Sequence, residues 1–163
     1  KNQLIGRAGT GFITVMKTLD LSRPGMAALG DGLAQGALDE AVKYAKQRQQ
    51  FGKPIIAFQA VQHMLADMAI GIESARSLVY SAAKHIQAHP KDMSKASAMC
   101  KTYATDVAMK VSTDAVQVMG GYGYMCEYPA EKMMRDAKIL QIYEGTNQIQ
   151  RNVIGQELNK EYS

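Results

Sequence analysis

Residues 117–151 read QVMGGYGYMCEYPAEKMMRDAKILQIYEGTNQIQR. Within this run an apolar helical pattern closes at Gly120 and Gly121. A short helix follows from Pro129, carrying Met133, Met134, Ala137 and Leu140, and the segment Tyr143–Thr146 breaks the pattern before a last helix. Gly145 is free to take backbone angles closed to other residues, and Thr146 is suited to cap the helix that follows. Glu144 is therefore expected on a bend and not on a helix face. A glutamate between Tyr143 and a helix N-terminus is placed for partial desolvation, an environment in which carboxylates are tuned to act as general bases. Taken alone, it is an ordinary exposed turn residue; its neighbours single it out.

Outward from this run the chain reads as helix almost throughout. It has no alternating strand runs, only four prolines, and long stretches of Ala, Met and Leu at spacings of three and four. A short helix is expected over Phe12–Thr18. Asp20, Ser22 and Pro24 form a start signal for a second, long helix with Leu29, Leu33, Ala37 and Ala41 on one apolar stripe, ending near Gln50. Phe51-Gly52-Lys53-Pro54 is a sharp turn. The next helix aligns Val61, Leu65, Met68, Ile72, Ala75 and Ala82 and stops before Pro90. Asp92 or Ser94 is expected to cap a third, with Met99, Tyr103, Val107, Val111, Ala115 and Val118 on its buried face. The last helix continues from Thr146 through Ile149, Val153, Ile154 and Leu158. Three helices of about 25 to 30 residues, each about 40 Å long and joined by short connections, predict an all-α, up-down-up-down helical bundle.

The chain of 163 residues is expected to form a single domain with its own core. Its net charge of +4 is spread over short mixed clusters, too diffuse for a nucleic-acid surface but compatible with a polyanionic ligand such as a nucleotide or coenzyme A. Cys100 and Cys126 lack metal-ligand or disulfide-framework spacing. No apolar run of about 18 residues and no signal-peptide core occur, so no membrane span is expected. The opening at Lys1 suggests a domain of a longer chain. No glutamate begins a Glu-x-x-His pair of the di-iron type, and His63, His85 and His89 have no zinc-like surroundings, so no metal site is expected. Gly120-Gly121-Tyr122-Gly123 is not a dinucleotide fingerprint, which needs a strand before it where this chain has a helix. It is a helix C-cap and turn.

The combination Gln117-Val-Met-Gly120-Gly121-Tyr-Gly123-Tyr124, Arg135-Asp136-Ala-Lys-Ile and Tyr143-Glu-Gly-Thr146 resembles the C-terminal signature of flavin-dependent acyl-CoA dehydrogenases. The resemblance continues through Asp20-Leu-Ser-Arg23, Arg48-Gln-Gln-Phe51-Gly-Lys53 and Phe58-Gln59-Ala60, and it covers nearly the whole chain. It leans to the short- and medium-chain, straight-chain members. It implies a helical-bundle C-terminal domain whose preceding helical and β-domains lie outside this sequence.

By that resemblance Glu144 removes the α-proton of an acyl-CoA thioester while the β-hydrogen passes as hydride to FAD. The family's donors to the thioester oxygen are the base's own backbone N–H and a flavin hydroxyl. Gly145 lies against substrate, and Asp20, Leu21, Ser22 and Arg23 match the segment near its coenzyme A portion. Some branches carry their base where Ser22 stands; Ser22 with Glu144 favours the straight-chain arrangement. Thr146, Asn147 and Gln148 are implied to face the flavin. Arg48, Phe51, Gln59, Gln117, Gly120 and Gly121 match contacts to the adenosine diphosphate half of a neighbouring subunit's FAD. The implied partners are an acyl-CoA, an electron-transferring flavoprotein and further copies of the chain in a dimer or tetramer, in the bacterial cytoplasm or mitochondrial matrix. Alternatives that the residues leave open are a non-catalytic oligomerisation bundle, an acyl-CoA oxidase, and a dehydrogenase of aromatic or dicarboxylic acyl-CoAs.

Overall fold

The computed structural model describes residues 3–90 and 92–163; Lys1, Asn2 and Lys91 lie outside the described residues. Helix α1 runs Gly11–Gln47, α2 Gln59–Ala88, α3 Ser94–Met119, α4 Ala130–Leu140 and α5 Asn147–Glu161. The all-α bundle read from the periodicity is the fold observed. Between α1 and α2 a two-residue hairpin pairs β1, Gln49–Gln50, with β2, Lys53–Pro54. Its tip is the expected sharp turn, with Phe51 at φ 50° and Gly52 at φ 77°. Among the described residues, no helix is long and apolar enough to cross a membrane.

Helix α3 is central: it packs against each of the other four helices. Its buried face is made of small residues, including Ala98, Ala104, Ala108, Ser112 and Ala115, and it meets a matching row on α1, Ala27, Gly30, Ala34, Ala37, Ala41 and Ala45. A Cβ at Gly30 would lie 3.3 Å from the Ala104 carbonyl oxygen, so the two backbones nearly touch. Short side chains are what permit such an approach, because interaxial distance follows side-chain size at the contact. Larger apolar residues enter from α2 and α4, where Leu65, Met68, Ile72 and Leu140 close the core. Full burial of a side chain such as Ile72 stabilises by roughly 1.5–3 kcal/mol. Cys100 and Cys126 are both free. Burial pushes the Cys100 thiol up to about 11.

Several boundaries and faces differ from expectation. The predicted short helix and the helix starting at Pro24 are one helix, with Pro24 inside it. Proline has no N–H for the carbonyl one turn back, which here belongs to Asp20. The Ser97 hydroxyl of α3 donates to that carbonyl instead. The same junction is fastened by Arg23 Nη1 on Asp20 Oδ1 at 2.6 Å and by Ser94 Oγ on Asp20 Oδ2 at 2.7 Å. Neither Asp92 nor Ser94 caps α3, since Met93 occupies that position without a side-chain bond and Ser94 already lies within the helix. Leu29, Met99 and Tyr103, expected in the core, are 52%, 40% and 42% exposed. The close approach of α1 and α3 leaves room for alanine and serine and turns the bulkier neighbours outward.

If Ser97 replaces the missing proline donor, Ser97→Ala should cost about 1–3 kcal/mol in equilibrium urea unfolding, the penalty for orphaning a buried carbonyl. In a Pro24→Ala background, where an N–H is restored, the same substitution should cost clearly less. Equal losses in both backgrounds would refute this account.

Candidate active site

The break between α4 and α5 is a tight turn held at both ends. Tyr143 N–H donates to Ile139 O at 3.1 Å, and Asn147 N–H reaches back to Gln141 O at 3.0 Å. Thr146 caps α5 as expected, its hydroxyl accepting from Ile149 N–H at 3.2 Å. Between them, two successive residues are left-handed: Glu144 at φ 57° and Gly145 at φ 86°. For Gly145 this is natural, and it has no space for anything larger: a Cβ would lie 2.5 Å from Gln150 Nε2. For Glu144 the conformation costs about 1–3 kcal/mol and must be imposed by its surroundings.

Three helices impose it. Arg23 Nε of α1 donates to the Glu144 carbonyl at 3.2 Å. Gln150 Nε2 of α5 donates to the Glu144 and Gly145 carbonyls at 3.2 and 3.0 Å. Lys101 Nζ of α3 donates to the Gly145 carbonyl at 2.9 Å and to Asn147 Oδ1 at 2.8 Å. The half-buried Glu144 carboxylate has a neutral partner, the Ser22 hydroxyl, which donates to its Oε2 at 2.7 Å. A second carboxylate, Asp106, is saturated: its Oδ1 accepts from Gln141 and Asn147 at 2.7 and 2.8 Å, and its Oδ2 from Arg151 at 2.6 Å.

Two pKa shifts follow from this geometry. Burial pushes the Lys101 ammonium down to about 8, helped by the Arg23 charge and opposed by Asp106 and Glu144. Burial raises the Tyr143 phenol, and the Glu144 charge adds to the effect.

Asp20, Ser22, Arg23, Glu144, Gly145, Thr146 and Asn147 are thus brought into one neighbourhood. Within it, Arg23 and Asn147 face inward, at 1% and 2% exposure, with their side chains committed to this network. Both were expected to face coenzyme A or flavin; their neighbours Leu21 and Gln148 are the exposed residues of these two segments. A second neighbourhood forms beyond the far end of α1, where Arg48, Gly120, Gly121, Tyr44, Gln50 and Tyr122 line a cleft of about 620 Å³. The Arg48 guanidinium lies 5.6 Å from the centre of the Tyr122 ring. Phe51, Gln59 and Gln117 are exposed but do not line the cleft. At 1.5 Å per residue, the length of α1 separates Ser22 from Arg48 by about 40 Å, so one chain presents two distinct surfaces.

Sequence reasoning did not single out Lys101, Gln150 or Asp106. The available signal was register: Lys101 falls in line with Ala104, Ala108, Val111 and Ala115 on the inner face of α3, where a lysine is unusual.

A dinucleotide's adenosine diphosphate half suits the second surface. A Cβ at Gly120 or Gly121 would meet no atom within 4 Å. Their bare backbones therefore border open space that a larger side chain would fill, beside a guanidinium able to pair with phosphate oxygens at two points.

Residues 9–159 match the family model described as acyl-CoA dehydrogenase, C-terminal domain. A probable acyl-CoA dehydrogenase of Mycobacterium tuberculosis is 55% identical over 157 residues, 96% of this chain and 40% of the relative. The solved butyryl-CoA dehydrogenase of Megasphaera elsdenii superposes with a TM-score of 0.90 at 53% identity, covering 94% of this chain and 40% of that one. A chain solved in a study of the electron-transferring flavoprotein of Acidaminococcus fermentans superposes with a TM-score of 0.93 at 56% identity, over 97% of this chain and 41% of that one. The chain belongs to the acyl-CoA dehydrogenase family and corresponds to its C-terminal helical domain. It spans about 40% of the length of the curated relatives it matches.

Two outcomes are expected. Gly145→Ala should destabilise the chain by about 1–3 kcal/mol in thermal or urea unfolding, from backbone strain and the collision with Gln150; a neutral result would contradict the crowding described. The second concerns Lys101, whose value of about 8 lies below its ordinary 10.5. Between these values the unfolded state binds the proton more tightly, so stability rises with pH through that window. Wild type should therefore gain stability relative to Lys101→Met across pH 8 to 10.5. A pH-independent difference would show that Lys101 is not the group responsible.

Proposed function

We propose that this domain supplies the general base of a flavin-dependent enzyme that introduces an α,β double bond into an acyl-CoA thioester. The observation that carries this reading is the Glu144 carboxylate. It stands half-buried on a left-handed turn, with a neutral hydroxyl as its hydrogen-bond partner, while Asp20 and Asp106 nearby are tied to arginines. A carboxylate required to accept a proton from carbon must be aligned, poorly hydrated and free of an ion pair. Glu144 meets these demands, and Ser22 orients one of its oxygens.

In this mechanism the Glu144 carboxylate takes the α-proton. Among the described residues, the Glu144 N–H makes no hydrogen bond within the chain, so it is free to donate to the thioester oxygen, where negative charge develops as the proton leaves. FAD, when bound, supplies the acceptor for the β-hydride. Gly145, Thr146 and Gln148 at the start of α5 would border substrate and flavin, with a helix N-terminus favouring negative charge nearby. Leu21 would meet the coenzyme A side. The cleft of Arg48, Gly120 and Gly121 would hold the adenosine diphosphate half of a second FAD, that of a neighbouring copy. The separation of about 40 Å along α1 supports this division, as does the family's pattern. The reading implies a homo-oligomer, with an electron-transferring flavoprotein as the electron acceptor. The preferred acyl group is a short or medium straight chain.

The test is Glu144→Gln in the full-length enzyme, assayed with acyl-CoAs of graded length. Turnover should fall by about 10² to 10⁴, the usual scale for a lost general base, with flavin content retained. Near-normal turnover would remove Glu144 from the mechanism.

A further inference from the structure

Lys101 is fully buried on the inner face of α3, at 0% exposure. Both of its hydrogen-bond partners are uncharged oxygens, the Gly145 carbonyl and the Asn147 side-chain amide. For stability alone this is a poor choice, since a buried cation without an opposite charge in contact carries an uncompensated desolvation penalty. Nor does the Gly145 carbonyl depend on it, because Gln150 Nε2 already donates there at 3.0 Å. What the ammonium does is join three things. It fixes the second residue of the left-handed pair, it fixes Asn147, the first residue of α5, and it ties both to the central helix.

We propose that Lys101 is a positioning residue for Glu144. Reaching from α3, its ammonium clamps the Gly145 carbonyl and the Asn147 side chain, so that the strained turn keeps the Glu144 carboxylate and N–H aimed at substrate. Arg23 and Gln150 hold the preceding carbonyl, and Gln150 also reaches the Gly145 carbonyl from α5, which leaves the direct tie of that carbonyl to α3 as the part that Lys101 adds. The charged groups that act on it are Arg23 from α1, Asp106 from α3 and Glu144 itself; Arg23 is in turn paired with Asp20, and Asp106 with Arg151 from α5. This proposal rests on the reading of Glu144 as the base.

The experiment compares wild type, Lys101→Met and Glu144→Gln in the full-length enzyme. It measures kcat, KM, flavin content, the unfolding midpoint and amide hydrogen exchange across residues 144–147. For Lys101→Met the expected result is a fall in kcat of about 10²-fold, the usual effect of a reacting group displaced by about 1 Å. KM and flavin content should change little, while exchange across the turn accelerates by about tenfold or more. A loss in kcat with KM intact marks an interaction that matters in the transition state. A general structural defect would instead lower flavin content and midpoint together with activity. Unchanged kcat and exchange in Lys101→Met would overturn the proposal, as would a loss that only tracks flavin content. If Glu144→Gln retains turnover, the assignment of the base fails, while the exchange data still report whether Lys101 holds the turn. Should Lys101→Met not fold, Lys101→Gln, which keeps N–H donors without the charge, takes its place. If that variant also fails to fold, Lys101 serves the fold as a whole and the proposal falls.

Discussion

Two neighbouring residues in left-handed backbone conformation, one of them a glutamate, are the constraint around which this domain is arranged. An isolated peptide would not keep Glu144 there, because its Cβ opposes that conformation. The turn persists because its carbonyls accept hydrogen bonds from Arg23 on α1, Lys101 on α3 and Gln150 on α5. Docking of the helices and shaping of the turn are consequently one event. A shift of any of these helices moves a donor, and through it the direction in which the carboxylate points.

The distribution of charge separates architecture from chemistry. Asp20 and Asp106 each accept from an arginine and from further donors, and they hold α1, α3 and α5 in register. Glu144 has the Ser22 hydroxyl. An ion pair would favour the charged carboxylate and oppose proton uptake, whereas the Ser22 hydroxyl orients Glu144 without bringing an opposite charge into contact. The same few residues on α1, Asp20 to Arg23, serve both ends: one carboxylate is locked, the other is steered.

Helix α1 has a further role through its length. Had it broken at Pro24, the segment touching Glu144 and the segment leading to Arg48 would be independent. Ser97 makes the helix continuous by donating to the carbonyl that proline leaves without a partner. A rigid rod then carries one surface near each end.

The sequence by itself determined whatever depends on a residue's own backbone preferences or on simple periodicity. Thr146 as a cap, the bend at Glu144 and Gly145, the turn at Phe51 and Gly52, the glycine end of α3 and the all-α bundle were legible because each follows from local sterics and side-chain reach. The tertiary structure decided the passage of α1 through Pro24, the inward turn of Arg23 and Asn147, and the burial of Lys101, since each depends on partners supplied by a distant segment. It also decided which face of α3 is inner. Met99 and Tyr103 are the more apolar residues, yet Ala104, Ala108 and Ser112 are the ones enclosed. The reason is distance: a helix surrounded by four others must let their backbones come close, and only small side chains leave the room.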